Sequence, residues 1–261
     1  MLGTPSALVS QGNLRMRSSD PRRIHSSAVP SPRQFAKRQA WKAAGRALIS
    51  GYVDSYTLLN FGVYASFMSG NTTSAGLHIG RANLAAAAHG LLPIPFFVLG
   101  ILVGTLLLQN KPQLSSAGLS LLVAAMLTIG VAASYFAWPG WASILVLSTA
   151  MGIMNTSITH VGGQSVSLAF ITGNLNNLGQ HLAMGIKRAP VQHVQGSWDT
   201  HWLRAAVLAG IWSAFFLGAI LGAAFAVRLA NWTLLLPGLM LVIFGAGPPG
   251  DSGGRKLRHS V

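Results

Sequence analysis

The chain has no cysteine and no glutamate, and its 261 residues hold only four acids: Asp20, Asp54, Asp199 and Asp251. Without cysteine there can be no disulfide, no thiolate metal site and no cysteine nucleophile. Charged residues make up 8%, against roughly 25% in a soluble domain. Such a chain lacks the polar groups to cover a water-facing surface, so the lipid bilayer is the expected solvent and partner. What is abundant points the same way: 51% of residues are hydrophobic and 30 are glycine.

The formal charge of +14 resembles a nucleic-acid signal, but its distribution does not. Nine of the 18 Lys and Arg residues precede Ser50 and the others sit in short gaps between apolar runs. Cations held on the cytoplasmic side orient a membrane protein and attract anionic lipid. No nucleic-acid partner is expected.

Residues 1–44 are rich in Ser, Pro and Arg and lack hydrophobic periodicity, which predicts a disordered basic cytoplasmic tail. The composition also fits an organellar transit peptide, or a start at Met16. Six apolar segments follow, at about 47–67, 84–108, 117–136, 141–161, 203–227 and 229–244. Each is near the ~20 residues that cross a hydrocarbon core. Trp138, Trp141, Trp198, Trp202 and Trp232 flank them, as in an interfacial aromatic belt. With the N-terminus inside, sixteen cations fall on the cytoplasmic side and two, Arg81 and Arg228, outside. The expectation is an all-α polytopic protein of the inner membrane. Its six-helix domain spans 45–246, with both termini cytoplasmic and 247–261 a C-terminal tail.

Two polar, glycine-rich segments repeat. Phe67-Met68-Ser69-Gly70-Asn71, with Gly76 and His78, recurs as Phe170-Ile171-Thr172-Gly173-Asn174, with Gly179 and His181, at a constant offset of 103. Leu99-Gly100-x3-Gly104 recurs as Leu217-Gly218-x3-Gly222. Repeats of about 47–136 and 141–246 would each hold three crossings. An odd number makes the second half enter from the opposite side, as in inverted-repeat transporters. Gly70 and Gly173 lower the cost of leaving helical geometry, and hydroxyls and amides can satisfy the backbone groups thereby freed. The helices are therefore expected to break at the S/T-G-N motifs, inside protein and away from lipid. Short half-helices over 72–79 and 175–184 would follow, with Asn71 and Asn174 as caps. The same motifs also fit tight structural turns that only let helices pack.

Gly51-Tyr52-Val53-Asp54 followed by Phe67-Met68-Ser69-Gly70-Asn71 resembles the opening motif of the YoaK-like family of multi-pass membrane proteins, a domain of unknown function. Met151-Gly152 with Asn155, and then Thr172-Gly173, resembles that family's second motif, although Met154 stands where a glutamine is usual. The resemblance covers about 45–244 and implies six membrane helices. It implies no substrate or reaction.

Asp54 is the only acid inside an expected span. A carboxylate there costs on the order of 3 kcal/mol even on lenient scales, so it needs compensation. It reads either as a proton- or cation-coupling group, or as a structural partner of Arg46, Ser55 or Thr57. At the offset of 103 its counterpart is Ser157. One buried polar cavity lined by Asp54, Ser69, Asn71, Thr172 and Asn174, taking a small polar solute, is the candidate site. Gly100, Gly104, Gly218 and Gly222 read as helix-packing faces. His78 and His181 occupy equivalent positions, but no metal or cofactor is expected. No second acid or Lys lies in the spans for paired acid–base chemistry, so an enzyme is not expected. A secondary transporter or permease, or a membrane scaffold or sensor, remains.

Overall fold

A computed structural model describes residues 31–110, 116–136, 138–157, 160–161, 164–165 and 171–245. Phe170, Lys111 and both outer tails, 1–30 and 246–261, lie outside the described residues. The fold is α-helical. In chain order it comprises α1 (Pro32–Phe61), α2 (Met68–Gly80), α3 (Leu84–Leu91), α4 (Pro93–Asn110), α5 (Ser116–Tyr135) and α6 (Gly140–Asn155). Then come a two-residue antiparallel pair (His160–Val161 with Gln164–Ser165), α7 (Ile171–Ile186), α8 (His201–Leu229), a 3-10 turn (Ala230–Leu234) and α9 (Leu235–Gly245).

Several boundaries differ from the sequence reading. The first helix starts at Pro32, so residues 32–44 are its opening turns and not part of a disordered tail. Ser31 and Gln34 form a reciprocal capping box there, and Pro32 sits at the first helical position, where its missing N–H is no loss. Ala43 and Ala47 then give this stretch tertiary packing, against Leu208 and Ile211 of α8. The helix ends at Phe61, six residues early, because Gly62 takes a left-handed conformation (φ 71°) and donates its N–H to the Leu58 carbonyl. The second apolar segment divides at Pro93 into α3 and α4, since proline cannot donate within a helix. The last begins as a 3-10 turn, and Pro237 falls in the first turn of α9.

By length and composition, two described stretches can cross a membrane: Leu84–Asn110, 27 residues, and His201–Leu229, 29 residues. Ala117–Ala133, Gly140–Asn155 and Trp232–Ile243 are shorter apolar helices. Their outer faces are apolar. Val98, Leu102 and Leu106 recur every fourth residue on α4 and are 56%, 53% and 46% exposed; such a ridge suits lipid and not water.

The interior core draws Ile49 and Val53 from α1, Val123 and Leu127 from α5, Leu147 and Met151 from α6, and Leu241 from α9. Two helix pairs flank it, α1 with α8 and α4 with α6, and both pairs run parallel. They are built alike. A Cβ on Gly51 would strike the Phe215 carbonyl oxygen, one on Gly218 the Leu48 carbonyl oxygen, and one on Gly222 the Tyr52 backbone. In the other pair, Gly152 meets the Phe97 carbonyl oxygen, Gly100 the Thr149 carbonyl oxygen, and Gly104 the Ile153 Cα. Glycine is required where backbones approach this closely. Each contact of the first pair maps onto one of the second by adding 101 on α1 and subtracting 118 on α8. The helical offset is thus 101, not the 103 of the motifs, so the positional counterpart of Asp54 is Asn155 and not Ser157. Between these contacts and the motif, the later stretch is two residues longer than the earlier one, and it carries the β pair.

Candidate functional site

The break between α1 and α2 is residues 62–67, upstream of Ser69-Gly70-Asn71. Its backbone has no helix to satisfy it, and three side chains do so in consecutive order. The Tyr64 N–H donates to Asn71 Oδ1 (2.9 Å), the Ala65 N–H to Thr57 Oγ1 (3.1 Å), and the Ser66 N–H to Asp54 Oδ1 (2.7 Å). Asn71 Nδ2 returns a bond to the Tyr64 carbonyl at 2.7 Å. Ser66 Oγ donates to Asp54 Oδ2 at 2.7 Å and lies 3.3 Å from Ser50 Oγ. Asp54, Thr57, Ser66, Asn71 and Ser50 are all buried. Buried polar groups are cheap only when each finds a partner, and here the loop amides and the carboxylate supply one another.

Asp54 is therefore compensated by Ser66, not by Arg46. The Arg46 guanidinium lies two turns earlier on α1 and reaches Ser120 Oγ on α5 at 3.1 Å. Thr57, among the hydroxyls expected beside Asp54, donates to its backbone carbonyl and not to its carboxylate.

The motif residues do not act as the spacing suggested. Gly70 and Gly173 sit inside the first turns of α2 and α7 and break neither helix. A side chain at Gly70 would collide with the Phe67 ring, so this glycine makes room for an aromatic side chain. Asn71 is not a cap. Phe67 holds the N-cap position, with no side-chain hydrogen bond, and Asn71 lies a full turn into α2, where its amide reaches back to the break. Asn174 is buried at the matching place in α7. Ser69 is exposed on α2.

A cavity of about 270 Å³ lies where the two motif regions meet. Asp54, Tyr64 and Phe67 wall it from the first region, Ile171 and Thr172 from the second, and Phe215 from α8. Of the five expected site residues, Asp54 and Thr172 thus share one space. Ser69, Asn71 and Asn174 do not line it.

A second polar cluster sits at the start of α8. Arg204 grips Asp199 with two bonds, Nε to Oδ1 at 2.9 Å and Nη2 to Oδ2 at 2.8 Å, and also donates to the Gln192 and His193 carbonyls. The guanidinium bonds hold the Asp199 carboxyl below the usual carboxylate range. His181 Nδ1 lies 2.9 Å from His201 Nδ1, so the histidine that shares a motif position with His78 pairs with α8 instead. Among the described residues no group of three or more His, Cys, Asp or Glu is placed to hold a metal. Sequence reasoning missed Ser66 and the Arg204–Asp199 pair. A lone Ser in an apolar run carries no signal, whereas an acid five residues before an Arg at a helix start carries a weak one.

The profile of the family described as "Protein of unknown function (DUF1275)" matches residues 43–247. The chain belongs to this family. It is 31% identical over 208 residues to the UPF0700 transmembrane protein RA0705 of Rhizobium meliloti (strain 1021), covering 78% of this chain and 83% of that one. It is 27% identical over 138 residues to the UPF0700 transmembrane protein YoaK of Bacillus subtilis (strain 168), covering 50% and 61%. No solved structure matches. Like its relatives, this DUF1275 chain is a transmembrane protein, and the family resemblance carried by Gly51, Asp54 and the S/T-G-N motifs holds. The profile begins at Ala43, within α1 and well past its first turn.

Proposed function

We propose that this protein is a permease for a small polar solute, built of six crossings in two inverted three-span repeats, with both termini in the cytoplasm. The observation that carries the reading is the 270 Å³ cavity walled by Asp54 and by Thr172. In it Asp54, the acid of the first proposed crossing, stands beside Thr172 of the other motif, which suits the place between proposed repeats where inverted-repeat transporters hold substrate. The matched glycine contacts of α1 on α8 and of α4 on α6 support the repeat. The parallel course of each pair fits an orientation in which the first and fifth crossings leave the cytoplasm and the second and fourth return. Asp54 takes up a proton in the cycle, and the Thr172 hydroxyl and the Tyr64 edge offer the solute polar contacts. No bond-making chemistry belongs to this reading.

A scaffold role is favoured by one observation: both Asp54 oxygens are already committed to Ser66. Asp54→Asn separates the two. Its Oδ1 can still accept from the Ser66 N–H, and its amide can donate to Ser66 Oγ, whose own hydrogen can turn to Ser50. Proteoliposomes carrying a trapped pH dye, challenged with a panel of polyols, amides and amino acids, should acidify with at least one wild-type solute and not with Asp54→Asn. A well-folded wild type that moves none of the panel, or equal proton entry in Asp54→Asn, overturns the coupled permease. Comparing solute uptake in a strain lacking the protein would name the substrate.

A further inference from the structure

The seam between α7 and α8 holds two histidines against each other. His181 Nδ1 of α7 lies 2.9 Å from His201 Nδ1 in the first turn of α8. Two ring nitrogens at that distance are joined by one proton: one ring donates and the other accepts. His201 decides which. It is 9% exposed, and its other nitrogen, Nε2, is buried with no hydrogen-bond partner among the described residues. A proton on Nε2 would sit beside no acceptor, whereas a proton on Nδ1 makes the bond. A second proton then has no good place. On His181 Nδ1 it would set N–H against N–H. On His201 Nε2 it would complete a buried cation whose new N–H finds no acceptor. His181 is half-buried, so solvent protons can reach the pair.

The neighbouring charges also resist a second proton. His181 is the titratable side chain of α7. From α8, His201 and Arg204 oppose its charging; Asp199 of the preceding loop, already closed on Arg204, favours it less strongly. No charge of α1 belongs to this set, although Leu178 of α7 packs on the cluster that holds Ala43 and Ala47. Burial first, and then the charges of His201 and Arg204, hold His181 below the usual histidine range.

We infer that the His181–His201 pair is a pH-sensitive latch: His201 donates its one shared proton, α7 is held on α8, and uptake of a second proton releases it. A histidine that is harder to protonate in the folded state contributes stability that is complete above about pH 6.5 and is lost as pH falls. The latch is therefore closed at neutral pH and opens in acid. Lys187 and Arg188 follow α7 directly, so in the orientation proposed above it faces the cytoplasm. Thr172 lies in the first turn of α7, so release of the helix loosens one wall of the Asp54 cavity. That consequence alone rests on the permease reading; the latch does not.

Hydrogen–deuterium exchange of the purified full chain at pH 7.5 and 5.5, corrected for the intrinsic pH dependence of amide exchange, tests it without solute. Opening of residues 176–186 should rise about tenfold in acid, the factor expected when an open histidine with a pKa near 6.5 takes up a proton that the closed pair excludes. The corresponding helix α2 should not respond. His181→Asn keeps an acceptor oxygen near the Nδ1 position and cannot titrate, so its response should vanish. Solid-state nitrogen-15 NMR of histidine-labelled wild type should show two coupled Nδ1 nitrogens at pH 7.5, one protonated and one bare, and no such pair at pH 5.5. An unresponsive wild type, an equal response in His181→Asn, or the absence of the coupled pair at pH 7.5 overturns the latch. The wild-type readings decide even where the variant fails to fold. Flux enters none of them, so the latch and the permease fail separately.

Discussion

Asp54 holds Ser66 at two points, accepting the backbone N–H on one oxygen and the hydroxyl on the other, each at 2.7 Å across twelve residues of chain. A buried carboxylate is thereby the fastener of the irregular stretch 62–67.

That pairing makes the size and hydrogen-bonding capacity of residue 54 matter more to stability than its charge. Asp54→Ala should leave the Ser66 N–H unsatisfied and lower stability by about 1–3 kcal/mol. Asp54→Asn should stay within about 1 kcal/mol of wild type, because the amide can serve both Ser66 groups in other directions. Thermal unfolding of both variants in one detergent checks this, and an equal loss in the two would show that the charge itself is required.

Asn71 binds Tyr64 as acceptor and as donor. Asn71→Asp keeps the acceptor and places a second acceptor against the Tyr64 carbonyl. It should destabilise the protein by about 1–3 kcal/mol, whereas Ser69→Ala, at an exposed site on the same helix, should stay within about 0.5 kcal/mol. The comparison is read from unfolding midpoints or from cleavage in the 62–67 turn by limited proteolysis.

Gly100 and Gly218 meet carbonyl oxygens in corresponding places on two helix pairs. Alanine at either should force the helices apart and cost about 1–3 kcal/mol, with the two losses similar. Gly76 and Gly179, which have open space around them, should accept alanine without loss. Very unequal effects at Gly100 and Gly218 would count against the pairwise equivalence.

Asp199 gains its native stabilisation from Arg204, which holds its carboxyl below the usual range. A carboxyl with a depressed native pKa contributes stability that is complete above its unfolded value, near 4, and is lost as pH falls through the lower folded value. Wild type should therefore lose its clamp on residues 192–199 only below about pH 4. Asp199→Asn should show faster proteolysis of that loop already at pH 7, with little further change on acidification. A pH-independent difference between wild type and Asp199→Ala would contradict the assignment.

The absence of cysteine allows topology to be read on single introduced cysteines. Impermeant thiol reagents applied from outside should label residues placed at Arg81 and Trp138, and should reach those at Lys111 and Arg188 only after the membrane is opened. External labelling at Arg188 would sink the orientation.

Membrane residence was legible in composition alone: a chain so poor in charge cannot be wetted, whatever its fold. Two copies of the motif F-x-[ST]-G-N-x4-G-x-H were also legible, because ungapped identity does not depend on geometry. What the sequence could not determine was the register between them. An insertion of two residues is invisible when only the motif is matched, and the contacts of Gly51 and Gly152 were needed to set Asp54 opposite Asn155 instead of Ser157. Nor could it assign partners. Gly62, not Gly70, ends α1, because glycine content alone does not say which glycine takes the left-handed conformation. Asp54 closes on Ser66 and not on Arg46 because the turn at Gly62 folds the chain back across α1, while Arg46 lies two turns away and faces α5. Composition and periodicity determine which solvent each segment needs, since those are sums over residues. Which polar atom meets which is decided by the path of the backbone between helices, and only the tertiary structure fixes that path.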